Sequence, residues 1–188
     1  MFKRKNKRGR LAATKEMLWP SMGWGRYFKF LMAKLKRISI SSTTESVASG
    51  LSFGWFISFN PMLGTHTFWM LGLAWVFNAN FLAMMIASLV GNIWTFPFLL
   101  WTSLQVGEFI AMMLFGDASL SFLQNIAWLQ EMSWFRDAGN NFILMLIGWP
   151  FIGSLLYAIT YFPHYYLVKN VKEAYQKRKK EKHEARNQ

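Results

Sequence analysis

The chain has no cysteine, which excludes disulfide bridges, thiolate metal sites and cysteine nucleophiles. Acidic residues are also few: 9 Asp and Glu stand against 21 Lys and Arg, for a formal net charge of +12. That leaves little material for paired acid–base chemistry. His66, His164 and His183 are the three histidines, and no two share helical ligand spacing with a carboxylate, so no metal is expected. Walker-type loops and dinucleotide-binding glycine patterns are missing. Gly50-Leu51-Ser52-Phe53-Gly54 has the letters of a nucleophile elbow, but no strand precedes it and no acid completes a triad. A small-residue helix face explains it better. No catalytic residue, metal or cofactor is assigned, and the chain is not expected to be an enzyme.

The longest absence is of charge. The 62 residues from Ser46 to Gly107 contain no Asp, Glu, Lys or Arg. Hydrophobic residues make up 53% of the chain and aromatics 18%, more than a soluble domain of 188 residues can readily hide. The cations gather at the ends: 12 in residues 1–37, 8 in residues 169–188, and only Arg136 between. A basic protein invites a nucleic-acid reading, but no stacking platform or base-reading motif lies between the clusters. Cations flanking apolar spans follow the positive-inside rule, with both termini cytoplasmic and anionic lipid headgroups as their partners. The fold class expected is an all-α integral membrane protein. It would have two or more transmembrane helices, a broken or re-entrant helical hairpin, and interfacial amphipathic helices.

Residues 1–18 read as a basic, disordered, retained cytoplasmic N-terminus. Residues 19–38 read as an interfacial amphipathic helix, with Trp24, Tyr27, Phe28, Leu31, Leu35 and Ile38 on one stripe and Arg26, Lys29, Lys36 and Arg37 opposite. A membrane domain follows over residues 46–163. Within it, residues 46–77 form two short apolar helices around a break at 60–66, where Pro61 and Gly64 stop and turn the chain. Neither helix alone reaches the roughly 30 Å of a bilayer core, which suggests a re-entrant pair; the alternatives are one long broken span or two complete spans. Residues 81–115 read as a broken span, interrupted from Gly91 to Pro97 and ended by Gly116. Ala83, Ala87 and Gly91 make a small-residue stripe suited to the Gly50/Gly54 face. Residues 119–135 read as an outer interfacial helix, closed by a loop at residues 136–140. Residues 141–163 are the clearest span, ended by Pro163, and residues 164–188 form a basic cytoplasmic helix or tail.

Paired broken helices point to a polar site near the membrane midplane. Its candidates are Asn60, Thr65, His66, Asn92 and Thr95, with Pro61, Gly64, Gly91 and Pro97 as structural breakers. Such a neutral set suits a lipid headgroup or small solute; the alternative is that these groups satisfy one another at a helix junction. Glu108 is read at the far interface or, alternatively, as a carboxylate facing the bundle.

Three motifs carry a family resemblance: Trp19-Pro20-Ser21-Met22-Gly23-Trp24-Gly25-Arg26, Asn60-Pro61-Met62-Leu63-Gly64-Thr65-His66 and Gly91-Asn92-Ile93-Trp94-Thr95-Phe96-Pro97. In this order and spacing the chain resembles the bacterial membrane family called domain of unknown function 2062, over about residues 19–165. The resemblance implies a small bacterial inner-membrane protein and brings no activity with it. Two functions stay open. One is a transporter-like or lipid-handling protein, acting as a homo-oligomer because one copy has few spans. The other is an anchor or assembly factor recruiting a partner through its basic ends.

Overall fold

Polar residues decide where each helix starts and stops. The computed structural model describes residues 23–116 and 133–187, and these are helical with no strand among them. Helix α1 spans Trp24–Ser41 and α2 spans Thr44–Ser58. Thr43 caps α2 by accepting a hydrogen bond from the Ser46 N–H at 3.2 Å, and Glu45 lies in the positive first turn. Helix α3 spans His66–Val76 and ends at Asn78, which takes a left-handed φ of 50° as Asn readily does. Asn80 then caps α4, Phe81–Ala87, by accepting from the Ala83 N–H at 2.9 Å. A 3₁₀ turn, Ser88–Val90, leads to the second break. Helix α5 spans Phe96–Phe115, with Pro97 in the first turn, where its missing N–H costs nothing. Helix α6 runs from Ser133 to Asn187.

Helices α2 and α3 form a hairpin. The end of α3 returns to the start of α2, where Ser46 donates its hydroxyl to the Asn78 carbonyl at 2.8 Å and the Asn80 N–H reaches the Ser46 carbonyl at 2.8 Å. Helix α4 then runs alongside α2. The small residues expected to meet do so: Gly50 faces Asn80 and Ala83, Gly54 faces Met84 and Ala87, and Gly91 rests on Ser58. Helix α6 lies antiparallel to α2, with Trp149 beside Phe56, Tyr157 beside Ser49 and Lys172 on the Ser42 carbonyl. Helices α5 and α6 cross backbone to backbone at Gly107 and Gly148.

Two packed clusters follow. Phe53, Ile57, Phe59, Met84, Leu99 and Trp149 fill the level of the first break. At the opposite end, Leu35 and Ile38 of α1 bury against Val47, Ala83 and Val168. The apolar stripe of α1 therefore divides: Leu35 and Ile38 enter the core, while Phe28 is 60% exposed.

Two boundary expectations are corrected. Pro163 does not end the last helix; it lies inside α6, as does Pro150. An interior proline loses one backbone hydrogen bond and crowds the preceding turn. Contacts on both sides hold the helix through it: Tyr157 on Ser49, His164 on Ser52, and a buried Val168. Residues 136–140 are not a loop either, because α6 already includes them. The N-terminal segment 1–18 and most of the interfacial helix expected at 119–135 lie outside the described residues.

Candidate functional site

The first break occupies Phe59–Thr65, between α2 and α3. Asn60 makes it by folding its side chain over its own backbone: Oδ1 accepts from the Met62 N–H at 2.8 Å, an Asx turn across Pro61. Gly64 takes φ +86°, the left-handed value a tight turn needs. The Thr65 hydroxyl donates to the Met62 carbonyl at 2.8 Å, and His66 opens α3.

The second break works the same way. Asn92 Oδ1 accepts from the N–H groups of Trp94 at 2.9 Å and Thr95 at 3.2 Å. The Thr95 hydroxyl donates to the Val90 carbonyl and accepts from the Asn92 N–H at 3.1 Å. The two breaks adjoin, since Gly91 rests on Ser58 and the His66 and Phe96 rings are 6.3 Å apart. Among the described residues, however, no hydrogen bond passes between Asn60, Thr65 or His66 and Asn92 or Thr95. Asn92 is exposed, whereas Asn60 is fully buried.

A break strands backbone carbonyls at the end of α2, and in an apolar setting each must find a donor. The neighbouring helices provide them. The Ser103 hydroxyl of α5 donates to the Phe59 carbonyl at 3.1 Å, and the Trp149 indole N–H of α6 donates to the Phe56 carbonyl at 2.9 Å. Sequence reading missed both residues. The signal was present only as a serine and a tryptophan within long uncharged runs. Trp149→Phe keeps the ring contacts with Phe56 and Trp69 but removes the donor. It is expected to cost about 1–3 kcal/mol, the penalty for a buried unpaired carbonyl. Thermal unfolding of purified protein checks this; an unchanged midpoint would show that the carbonyl has another partner.

One donor in the break remains unmatched. Asn60 Nδ2 is buried and has no hydrogen-bond partner among the described residues. The amide is held by its own oxygen, so it cannot turn to find one without opening the Asx turn.

A separate cleft of about 280 Å³ opens at the other end of the hairpin, between the start of α2, the α3–α4 link and α6. Glu45, Ser46, Ser49, Asn78, Tyr157 and Tyr161 line it. Asn60, Thr65, His66, Asn92 and Thr95, the residues expected to form a polar site, are not among its walls. Glu108 lies near neither feature. It is exposed and accepts from the Gln105 side chain at 3.2 Å.

A family model described as an uncharacterized protein conserved in bacteria (DUF2062) matches residues 25–180. No curated protein and no solved structure matches the chain.

Proposed function

We propose that this chain, which belongs to the family of uncharacterized bacterial proteins DUF2062, is a non-enzymatic inner-membrane protein that holds a small polar ligand or lipid headgroup at its first helix break. Two helices are long and apolar enough to cross a membrane, Phe96–Leu114 and Gly139–Arg186, and only 22% of each apolar window is buried. A core helix of a soluble protein would be mostly covered. Helix α3 supports the same reading, because Phe68 is 77% and Trp75 86% exposed on a helix with no charge. Helix α2 is 15 residues long, about 22 Å, too short to cross. Its end lies beside Trp149, about a third of the way into the apolar stretch 141–163 from the end away from the basic tail. That supports a re-entrant hairpin entering from the side of the basic ends, with its tip inside the apolar layer. Helices α5 and α6 are then the full crossings, which keeps both termini cytoplasmic and their cations among anionic headgroups. A homo-oligomer would cover part of the exposed apolar surface.

The observation that carries the ligand reading is the Asn60 amide. A buried N–H without an acceptor costs about 1–3 kcal/mol. A ligand oxygen seated against the break would remove that cost. A second reading is favoured by the unbroken α6. Its helical continuation through Pro163 carries the cations of residues 169–187 out as one exposed helix, suited to recruiting an acidic partner.

One experiment separates the two. Wild type, Asn60→Ala and a chain lacking residues 169–188 are compared for abundance, for rescue of a deletion strain, and for co-purifying small molecules by native mass spectrometry. The ligand reading expects Asn60→Ala to remain abundant, to lose rescue and to lose a bound species that the truncated chain retains. If Asn60→Ala keeps both rescue and its bound complement, the amide is satisfied by water and the ligand reading fails. Loss of rescue in the truncation alone would favour recruitment.

A further inference from the structure

We propose that the cleft beside Glu45 binds a primary ammonium group. This is a site separate from the Asn60 break, and it does not depend on Asn60 holding a ligand. The cleft places one carboxylate next to aromatic rings. Tyr157 and Tyr161 stand one turn apart on α6, with ring centroids 5.8 Å apart, and Phe77 closes the cleft from the end of α3. Ammonium groups are attracted both to carboxylates and to the faces of such rings. Among the described residues, no ion pair engages Glu45. Ser49 shares a hydrogen bond with the Tyr157 hydroxyl at 3.2 Å, which fixes that ring at the wall. The Ser46 hydroxyl donates to the Asn78 carbonyl, so its own lone pairs stay available as acceptors.

The alternative ligand at a helix start is an anion, and charge decides against it here. The α2 N-terminus contributes only about half a positive charge, while Glu45 contributes a full negative one. The Ser46 N–H that an anion would use is already taken by Thr43. No Lys or Arg is among the walls of the cleft, and Lys172 holds the Ser42 carbonyl. At about 280 Å³ the space suits a headgroup amine or a free small amine rather than a large solute.

The ammonium could arrive on a lipid or in solution, and two measurements distinguish the sources. In the first, full-length protein in nanodiscs of phosphatidylglycerol doped with phosphatidylethanolamine is released for native mass spectrometry. In the second, ethanolamine is titrated calorimetrically into detergent-purified protein. Glu45→Gln is the test variant. Both carboxylates are exposed, but Glu108 is not a wall of the cleft, so Glu108→Gln removes the same charge elsewhere and serves as the control. Retention of the amine lipid by wild type and Glu108→Gln, weakened about three- to tenfold in Glu45→Gln, supports the site with a lipid source. The same pattern for ethanolamine supports it with a soluble source. Equal binding by Glu45→Gln and wild type in both measurements, or no binding in either, overturns the proposal.

Discussion

Gly148→Ala is expected to destabilise the protein by about 3 kcal/mol, although alanine is the better helix former by about 1 kcal/mol. At this position α5 and α6 touch through their backbones. A Cβ on Gly148 would sit 2.5 Å from the Gly107 nitrogen and 3.0 Å from its Cα, and would also strike the Ser103 carbonyl. None of these atoms belongs to a side chain that can turn away. The converse is equally tight, since a Cβ on Gly107 would lie 2.6 Å from the Leu144 carbonyl carbon. A methyl group therefore has to push two helices apart, and the close packing along the whole crossing is lost with it. Thermal unfolding in detergent, followed by tryptophan fluorescence, measures the effect. Gly72→Ala is the control: nothing lies within 4 Å of a Cβ there, so it should be neutral or up to about 1 kcal/mol stabilising. Equal midpoints for Gly148→Ala and Gly72→Ala would show that α5 and α6 do not cross at these glycines.

Gly54→Ala should cost about 2 kcal/mol for a related reason, with a signature that identifies the partner helix. A Cβ at Gly54 meets the Ala87 methyl, the Met84 carbonyl at 2.7 Å and the Ser88 nitrogen at 2.9 Å. Removing the opposing methyl in the double variant Gly54→Ala/Ala87→Gly relieves the first clash and leaves the two backbone ones. Recovery should therefore be real but partial, a coupling that contacting residues show and distant ones do not. Additive losses in the double variant would mean that Ala87 is not what Gly54 faces. Displacement of α4 would also move the second break, because Gly91 rests on Ser58 at the end of the same contact.

The small residues that make both experiments possible were unevenly legible. Gly50 and Gly54 repeat at i+4, and so do Ala83, Ala87 and Gly91, so pairing of those two faces follows from helical periodicity alone. Ser103, Gly107 and Ala111 also repeat at i+4, but Gly148 has no small residue four positions to either side, so where α5 and α6 meet depends on how they cross. The breaks were legible because Asn-Pro and Gly-Asn act locally: each asparagine bonds to backbone within three residues, as Oδ1 of Asn60 does to Met62. Caps at Thr43 and Asn80 are local in the same sense.

Pro163 marks the limit of local reasoning. A proline is a strong stop signal when only its neighbours are considered. Here Val168 and His164 pack or bond against α2 and Lys172 bonds the Ser42 carbonyl just before it, and these contacts hold α6 together past the stop. Helix propensity amounts to a few kcal/mol at most, and tertiary packing overrides it.

By itself, then, the sequence determined an all-helical chain with long apolar segments, basic ends and two helix breaks, because charge, periodicity and turn chemistry act over a few residues. Only the tertiary structure decided which groups meet. Ser103 and Trp149 satisfy the carbonyls freed by the first break from 44 and 93 residues away. Asn60 is fully buried and keeps one amide hydrogen-bond donor without a partner among the described residues. Glu45 and the Tyr157–Tyr161 pair come together because α6 runs back along α2. Those outcomes depend on how helices distant in sequence dock, which no local pattern encodes.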